Sequence, residues 1–368
     1  MVTGFRSKFY QVYGEKILPE FRNLERKRRI ICTRIILTDI VIILLTIVLY
    51  HFFLLILPLW ILAVFVAIAA MSYESMLFKS DLKDKCMKSI MAAFEDVTWV
   101  PATFNFGFLN HYNKNLYSDV SIDIPSTNLF GTTNSLEYNT VNYDDIFVGK
   151  YNDVRFTIAE TELKYISGTG KNKTNVKIFK GILITFPANK TIKADTIINP
   201  KNSNNINSYK NKYIIMPTIA AAYFVLIGII LGAYYLLTFA VIWWVMYMIS
   251  FMHFHKKRKF KKVNLEDIDF EKDFSVISKD QIEGRYLITP AFMDRFKKLQ
   301  QVFKTKEIRC SFYKNNISFA ISSNKDMFEI GDLWHSLLDS KQMQQFFDEI
   351  TAVMDMIELF KLDEKTGL

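Results

Sequence analysis

The sequence predicts a membrane protein in which four short transmembrane α-helices, arranged as two hairpins, carry one cytoplasmic α+β domain with mainly antiparallel strands. Three observations lead to this fold class. Two long apolar blocks, residues 35–72 and 213–252, interrupt an otherwise polar chain of 368 residues. Both flanks of each block are basic. The remaining segments alternate between helix-like and strand-like apolar patterns.

The two blocks are too long for one membrane crossing each. About 20 residues span the hydrocarbon core of a bilayer, and each block has about 37–40 residues. A single helix of that length would measure about 55 Å at 1.5 Å per residue, nearly twice the core thickness. We therefore predict a hairpin in each block, with turns near residues 50–51 and 228–232. Pro58 is a candidate kink in the second helix.

Charge predicts the orientation of these hairpins. The net charge is +9, from 46 Lys and Arg against 37 Asp and Glu. Cytoplasmic loops of membrane proteins carry an excess of Lys and Arg, and a single crossing would leave one basic flank outside. Each block is therefore expected to cross twice, with all four flanks in the cytoplasm. The flanking basic residues are Arg22, Arg26, Lys27, Arg28, Arg29, Arg34, Lys79, Lys83, Lys85, Lys88, Lys201, Lys210, Lys212, Lys256, Lys257, Arg258 and Lys259.

The soluble segments contain both helices and strands. Apolar spacing predicts helices over 5–30, where Pro19 should break or bend the helix, and over 81–98. Alternating patterns predict strands over 154–158 and 176–186, with a turn over 168–175, and a β-hairpin over 308–321. Thr289 and Pro290 are an N-cap and a first helical residue. The last helix is predicted over 340–360.

These elements suggest six consecutive segments. Neither β-rich segment has a complete core of its own, so we predict one α+β domain that the second hairpin interrupts. The segments are a basic cytoplasmic helix at 1–34, a transmembrane hairpin at 35–72, a juxtamembrane helix and first half-domain at 73–212, the inserted hairpin at 213–252, the second half-domain at 253–338, and a C-terminal amphipathic helix at 339–368.

Several short pieces of the chain resemble one known family. They are Tyr143-Asp144-Asp145, Ala159-Glu160, Phe179-Lys180-Gly181, the stretch from Leu265 to Val276 and the stretch from Arg285 to Met293. In this order they resemble the bacterial membrane proteins of the family called domain of unknown function 3137, from about residue 126 to 293. The resemblance implies a membrane hairpin followed by a cytoplasmic domain, in a bacterial inner membrane, and no established activity. The inserted block 213–252 departs from that pattern.

Three acids in these pieces are the candidate functional side chains: Asp144, Asp145 and Glu160. A carboxylate pair in a cleft can transfer protons or bind a cation. The alternative is that these acids are turn residues, helix caps or ion-pair partners. The sequence has no P-loop, GxSxG or HExxH motif, and its five histidines and three cysteines (Cys32, Cys86, Cys310) form no ligand set. We therefore expect no cofactor and no metal, and favour a non-enzymatic protein.

Two basic clusters are candidate contacts for anionic lipid. They either hold lipid headgroups or only fix the topology. The expected partners are the lipid bilayer, an unidentified protein and a second copy of the chain, and not nucleic acid. Three hypotheses stay open: a membrane-anchored binding or scaffold module, an enzyme that uses the three acids, and an oligomeric channel or transporter component. Against a transporter, Asp39 is the only acid in the blocks. The clusters are Arg26, Lys27, Arg28 and Arg29, and Lys256, Lys257, Arg258 and Lys259.

Overall fold

A computed structural model describes residues 9–48, 53–94, 96–101, 129–130, 138, 140–167, 174–201, 242–247 and 260–362. The chain divides into two compact units. The helical unit comprises Met1–Pro101, Asp145–Tyr151 and Asp326–Met354, and the sheet unit comprises Ala102–Asp144, Asn152–Lys325 and Asp355–Leu368. The two predicted hairpin turns and the basic cluster at 256–259 lie outside the described residues.

Two long helices dominate the helical unit. Helix α1 spans Phe9–Val48 and helix α2 spans Phe53–Met91, and both are long and apolar enough to cross a membrane. Their apolar side chains point away from the protein core, for example Ile36 and Leu44 on α1 and Leu62 and Phe65 on α2. The second block is described only at residues 242–247, which are helical with outward apolar side chains. The two further spans predicted there stay a prediction.

Polar contacts fix the antiparallel register of α1 and α2. Lys27 lies 3.2 Å from Asp81, and Arg34 lies 3.4 Å from Glu74. From the first pair to the second, the contact moves seven residues forward along α1 and seven residues back along α2. Nearer their apolar ends, the Trp60 indole donates a hydrogen bond of 2.6 Å to Thr46 Oγ1. The two helices therefore form a hairpin-like pair.

The structure corrects two predicted helix limits. The helix predicted over 5–30 continues to Val48, and Pro19 does not break it, because a π-turn at Tyr13–Ile17 precedes the proline. A π-turn widens the helix where a proline ring would collide with a carbonyl one turn back. The helix predicted over 81–98 is the end of α2, which stops at Met91, and Val97 already belongs to a strand.

The rest of the helical unit packs on aromatic side chains. Strand β1, Val97–Pro101, pairs antiparallel with strand β2, Thr140–Tyr151, so that Val97 faces Gly149. Helix α6, Ser340–Leu359, begins in this unit. It packs on the start of α1 through Phe347, whose ring centroid lies 4.4 Å from that of Phe9.

The sheet unit is built on antiparallel strands in the order β3-β4-β9-β8-β5-β7-β6. The predicted antiparallel sheet is confirmed. The strands are β3 Val154–Ser167, β4 Thr174–Pro187, β5 Thr196–Pro200, β6 Lys261–Lys262, β7 Phe274–Ser278, β8 Ile308–Tyr313 and β9 Asn316–Ser322. The helices are α3 Ile268–Asp273, α4 Gln281–Leu287 and α5 Pro290–Phe303.

Strands from both sides of the second apolar block pair in this sheet. Strand β5 precedes the block and pairs with β7, which follows it, so that Pro200 faces Phe274. Strand β4 likewise pairs with β9, and Ile184 faces Phe319. One side of the block cannot form this sheet without the other.

Candidate functional site

Two of the three predicted acids lie together in the sheet unit. Asp144 is in the first part of β2 and is exposed, whereas Glu160 is in β3 and is buried. One carboxylate oxygen of Asp144 and one of Glu160 lie within 4.8 Å of each other. Carboxylate oxygens at this spacing suit a hard cation such as Ca²⁺ or Mg²⁺. The expectation that the chain binds no metal stays a prediction.

The third acid, Asp145, belongs to the helical unit and is held there by two donors. Its Oδ2 accepts from Lys83 Nζ at 2.7 Å, and its Oδ1 accepts from the Trp99 indole at 2.8 Å. The Lys83 ammonium also lies 3.2 Å from Glu329 Oε1. Asp145 is 1% exposed, and the Lys83 side chain is 12% exposed. We call Lys83, Asp145, Trp99 and Glu329 the lysine network.

The lysine network has the geometry of a structural joint. Charges removed from water require partners, since an unpaired buried charge costs several kcal/mol. Both Asp145 oxygens have a donor, so this carboxylate is poorly suited to accept a substrate proton. The network joins four separate stretches of sequence: α2, β1, β2 and the segment that precedes α6.

A second buried group joins α1 to the same C-terminal segment. Glu25 is 3% exposed. Its two oxygens accept bidentate hydrogen bonds of 2.8 Å from Arg28, and Oε2 also accepts from the Leu337 backbone N–H at 3.1 Å. Arg28 Nη1 then donates to the Leu333 carbonyl at 2.9 Å. We call Glu25, Arg28, Leu333 and Leu337 the glutamate clamp.

The clamp divides the first basic cluster into two kinds of residue. Arg28 is half-buried and engaged with Glu25 and Leu333, so its guanidinium has little capacity left for a lipid headgroup. Arg26, Lys27 and Arg29 are exposed, although Lys27 pairs with Asp81 and Arg29 lies 3.1 Å from Glu25. These three residues remain the candidate lipid contacts on α1.

The segment 326–338 is what reasoning from the sequence missed. It supplies Glu329 to the lysine network and two backbone groups to the glutamate clamp. One signal was available, namely Gly331, where a Cβ would collide with side-chain atoms of Leu82 and Leu337. Asp332 orders the loop that follows. Burial acts to raise the pKa of Asp332, but hydrogen bonds from His335, Trp334 and Gln342 outweigh it and hold that pKa below its usual value.

The family-like pieces in the sheet unit have structural roles. Asp267 caps α3 by accepting from the backbone N–H groups of Asp269 and Phe270, both at 2.9 Å, and pairs with Lys297. The hydrogen bond that Lys297 donates is the largest of the effects that hold the pKa of Asp267 below its usual value. Gly181 in β4 has φ +153°, and a Cβ there would collide with the backbone of β9.

The two family-like stretches at 265–276 and 285–293 also position an aromatic core. Thr289 caps α5 with a hydrogen bond of 3.2 Å to the Phe292 N–H, as predicted, and Pro290 is the first helical residue. Phe274 and Phe296 pack with ring centroids 4.9 Å apart. These two stretches therefore specify helix caps and core packing.

Comparison with known proteins identifies one family. The model of the family described as "Protein of unknown function (DUF3137)" matches residues 177–362, half of the chain. The match begins and ends later than the resemblance predicted from the sequence. It includes Glu329 and the clamp residues of the C-terminal segment, and it begins after Asp144, Asp145 and Glu160. No curated protein and no solved structure matches the chain.

The lysine network predicts a large effect for one substitution. Lys83→Met removes the ammonium that donates at 2.7 Å to the Asp145 carboxylate, which is 1% exposed, so it should reduce the free energy of unfolding by about 3–5 kcal/mol. Glu329 is less buried and also lies 3.5 Å from Lys79, so it adds little to this loss. Lys85→Met is the matched control on the same helix. Lys85 pairs with Asp81 at 2.6 Å, but both side chains are more than a third exposed, so this change should cost at most about 1 kcal/mol.

Thermal unfolding of both variants in detergent, followed by circular dichroism, measures this difference. Equal destabilisation by the two substitutions would show that Lys83 has no special role in the helical unit.

Proposed function

The chain belongs to the family described as "Protein of unknown function (DUF3137)", whose description states no activity, and we propose that it is a membrane-anchored binding or scaffold module at the cytoplasmic face of a bacterial inner membrane. The observation that carries this proposal is that the apolar helices continue directly into the lysine network and the glutamate clamp. Helices α1 and α2 leave the outward apolar stretch and enter the lysine network and the glutamate clamp without interruption. A folded segment is thereby held at a fixed place beside the membrane.

The outward apolar surface supports the anchor. Along α1 from Ile36 to Val48 and along α2 from Leu59 to Phe65, large apolar side chains are about half exposed or more. A water-soluble protein rarely exposes an apolar surface this large. Lipid chains cover such a surface without cost, and both helices satisfy their backbone hydrogen bonds internally.

Strand pairing supports a second hairpin. Because β5 and β7 are neighbours in one sheet, the chain leaves and re-enters the same side of any membrane between Pro200 and Phe274. A single crossing by residues 213–252 would separate these strands, so the block must cross an even number of times. Two crossings fit its length of about 40 residues.

The distribution of charge supports a cytoplasmic position for this side. The exposed Arg26, Lys27 and Arg29 lie on α1 before the apolar stretch, and basic residues flank the second block. Lys and Arg near spans favour the cytoplasmic side. The same exposed cations suit anionic lipid headgroups, at about 1 kcal/mol each.

An enzyme and a channel are the other candidate functions. The approach of Asp144 to Glu160 within 4.8 Å is the observation that favours a cation-dependent enzyme. Against it, both carboxylate oxygens of the third acid, Asp145, are engaged in structural contacts. A channel would conduct ions in liposomes, whereas a tether or scaffold would not.

The proposed topology predicts the accessibility of three introduced cysteines in the full chain with Cys32→Ser. Cys86 and Cys310 are buried and should not react. In intact cells a membrane-impermeant maleimide should label His51→Cys and Gly232→Cys at the hairpin tips. It should label Ser203→Cys only after the inner membrane is permeabilised. Labelling of Ser203→Cys in intact cells would refute the cytoplasmic domain.

The lipid contacts predict a loss of anionic lipid binding. Arg26→Gln combined with Arg29→Gln removes two exposed cations worth about 1 kcal/mol each, so affinity should fall more than tenfold. Lys272→Gln combined with Lys298→Gln, which removes the same charge from exposed lysines of the sheet unit, is the control. Native mass spectrometry of the detergent-solubilised protein, titrated with phosphatidylglycerol, measures both. Equal losses in the two double variants would rule out a specific site on α1.

A further inference from the structure

We propose that residues 332–338, here called the interfacial loop, form a second contact with the bilayer, in which Trp334 and Leu338 enter the headgroup layer beside α1. This inference rests on the proposed membrane anchoring and adds a surface to it. The loop belongs to the folded part of the chain, about 300 residues after α1 in the sequence.

The glutamate clamp sets the position of the loop along α1. The Leu333 carbonyl accepts hydrogen bonds from Arg28 Nη1 at 2.9 Å and from Cys32 Sγ at 3.1 Å. Cys32 is four residues before Ile36, where the outward apolar stretch of α1 begins. At 1.5 Å per residue the loop is attached about 6 Å from that stretch.

The register between α1 and α2 shows which part of α2 lies beside the attachment point of the loop. The pairs Lys27–Asp81 and Arg34–Glu74 define a register in which Cys32 is level with Met76. Met76 is 61% exposed. Outward apolar side chains therefore reach the level of the loop on this helix as well, among the charged pairs that mark the membrane edge.

The side chains of the loop separate into an inward and an outward set. Leu333 and Leu337 are buried in the helical unit, whereas Trp334 is 54% exposed and Leu338 is 42% exposed. A tryptophan combines a large apolar ring with one N–H donor, and such side chains concentrate at the interface between membrane and water.

Hydrogen bonds hold the loop in this conformation before any membrane contact. Asp332 Oδ1 accepts from the backbone N–H groups of Trp334 and His335, both at 2.7 Å. Asp332 Oδ2 lies 2.8 Å from His335 Nδ1 and accepts from Gln342 Nε2 at 3.1 Å. A preordered loop loses little conformational entropy on binding, so most of the gain from burying Trp334 and Leu338 is retained.

The bilayer is the occupant that fits this surface best. The loop is attached to α1 at Cys32, about one turn from the outward apolar stretch, and the exposed cations Arg29 and Arg34 on the same helix suit anionic headgroups. A soluble protein partner would have to dock within one helical turn of the lipid.

Depth-dependent quenching tests the proposal on the full chain in nanodiscs whose lipids carry a nitroxide near the headgroup. A bimane label is placed at Trp334→Cys, or at Leu338→Cys, which keeps the tryptophan. All variants carry Cys32→Ser, which preserves a donor to the Leu333 carbonyl. Ile36→Cys is the control inside the membrane, and Lys88→Cys, fourteen residues beyond Glu74 on α2, is the control in water.

The labels at 334 and 338 should be quenched at least twofold more than the label at 88, approaching the label at 36. Quenching at 334 and 338 equal to that at 88, with position 36 quenched, would refute the contact between the interfacial loop and the bilayer but not the anchoring. The exposed Trp334 would then suit a protein partner instead. Absence of quenching at position 36 would instead overturn the anchoring itself and the loop with it.

Discussion

The positive charge of Lys83 lies largely out of reach of water, between the carboxylates of Asp145 and Glu329. Lys83 and Asp145 are almost fully buried, and neither charge is stable there without the other. Glu329 is more exposed and also lies 3.5 Å from Lys79. Helix α2, strand β2 and the segment before α6 must therefore be in place together. Glu25 and Arg28 impose the same condition on α1. Helices α1 and α2 and the folded segment thus act as one body within the helical unit.

Chain connectivity imposes a second constraint. Strand β5 finds its neighbours β7 and β8 only after the chain has passed through residues 213–252. If that block enters the membrane, it has to return before the sheet can close. An inserted hairpin satisfies the requirement, and the interruption then brings the sheet unit's own chain back to the membrane at a second place. A module attached in this way is suited to holding a partner at a fixed distance from the bilayer.

Part of this structure could be predicted from the sequence because it depends on local patterns. The apolar stretches, the antiparallel strands and the Thr289 cap follow from periodicity and from side chains near in sequence. The π-turn before Pro19 could not be predicted, since the same residues also fit an interrupted helix. The role of Glu329 was missed because its partner Lys83 is 246 residues away. Of the candidate site, the approach of Asp144 to Glu160 depends on how β2 and β3 come together, and two isolated acids carry no signal for it.

Buried ion pairs join the two long apolar helices rigidly to the C-terminal segment. The distance between spin labels at Tyr73→Cys, on α2 just after its apolar stretch, and Lys341→Cys, in the first turn of α6, tests this directly. Both side chains are well exposed, so labelling should leave the joints intact. In nanodiscs, with Cys32→Ser, double electron–electron resonance should give one narrow distance distribution. A broad or double distribution would mean that the helices and the segment move independently, and would contradict the account.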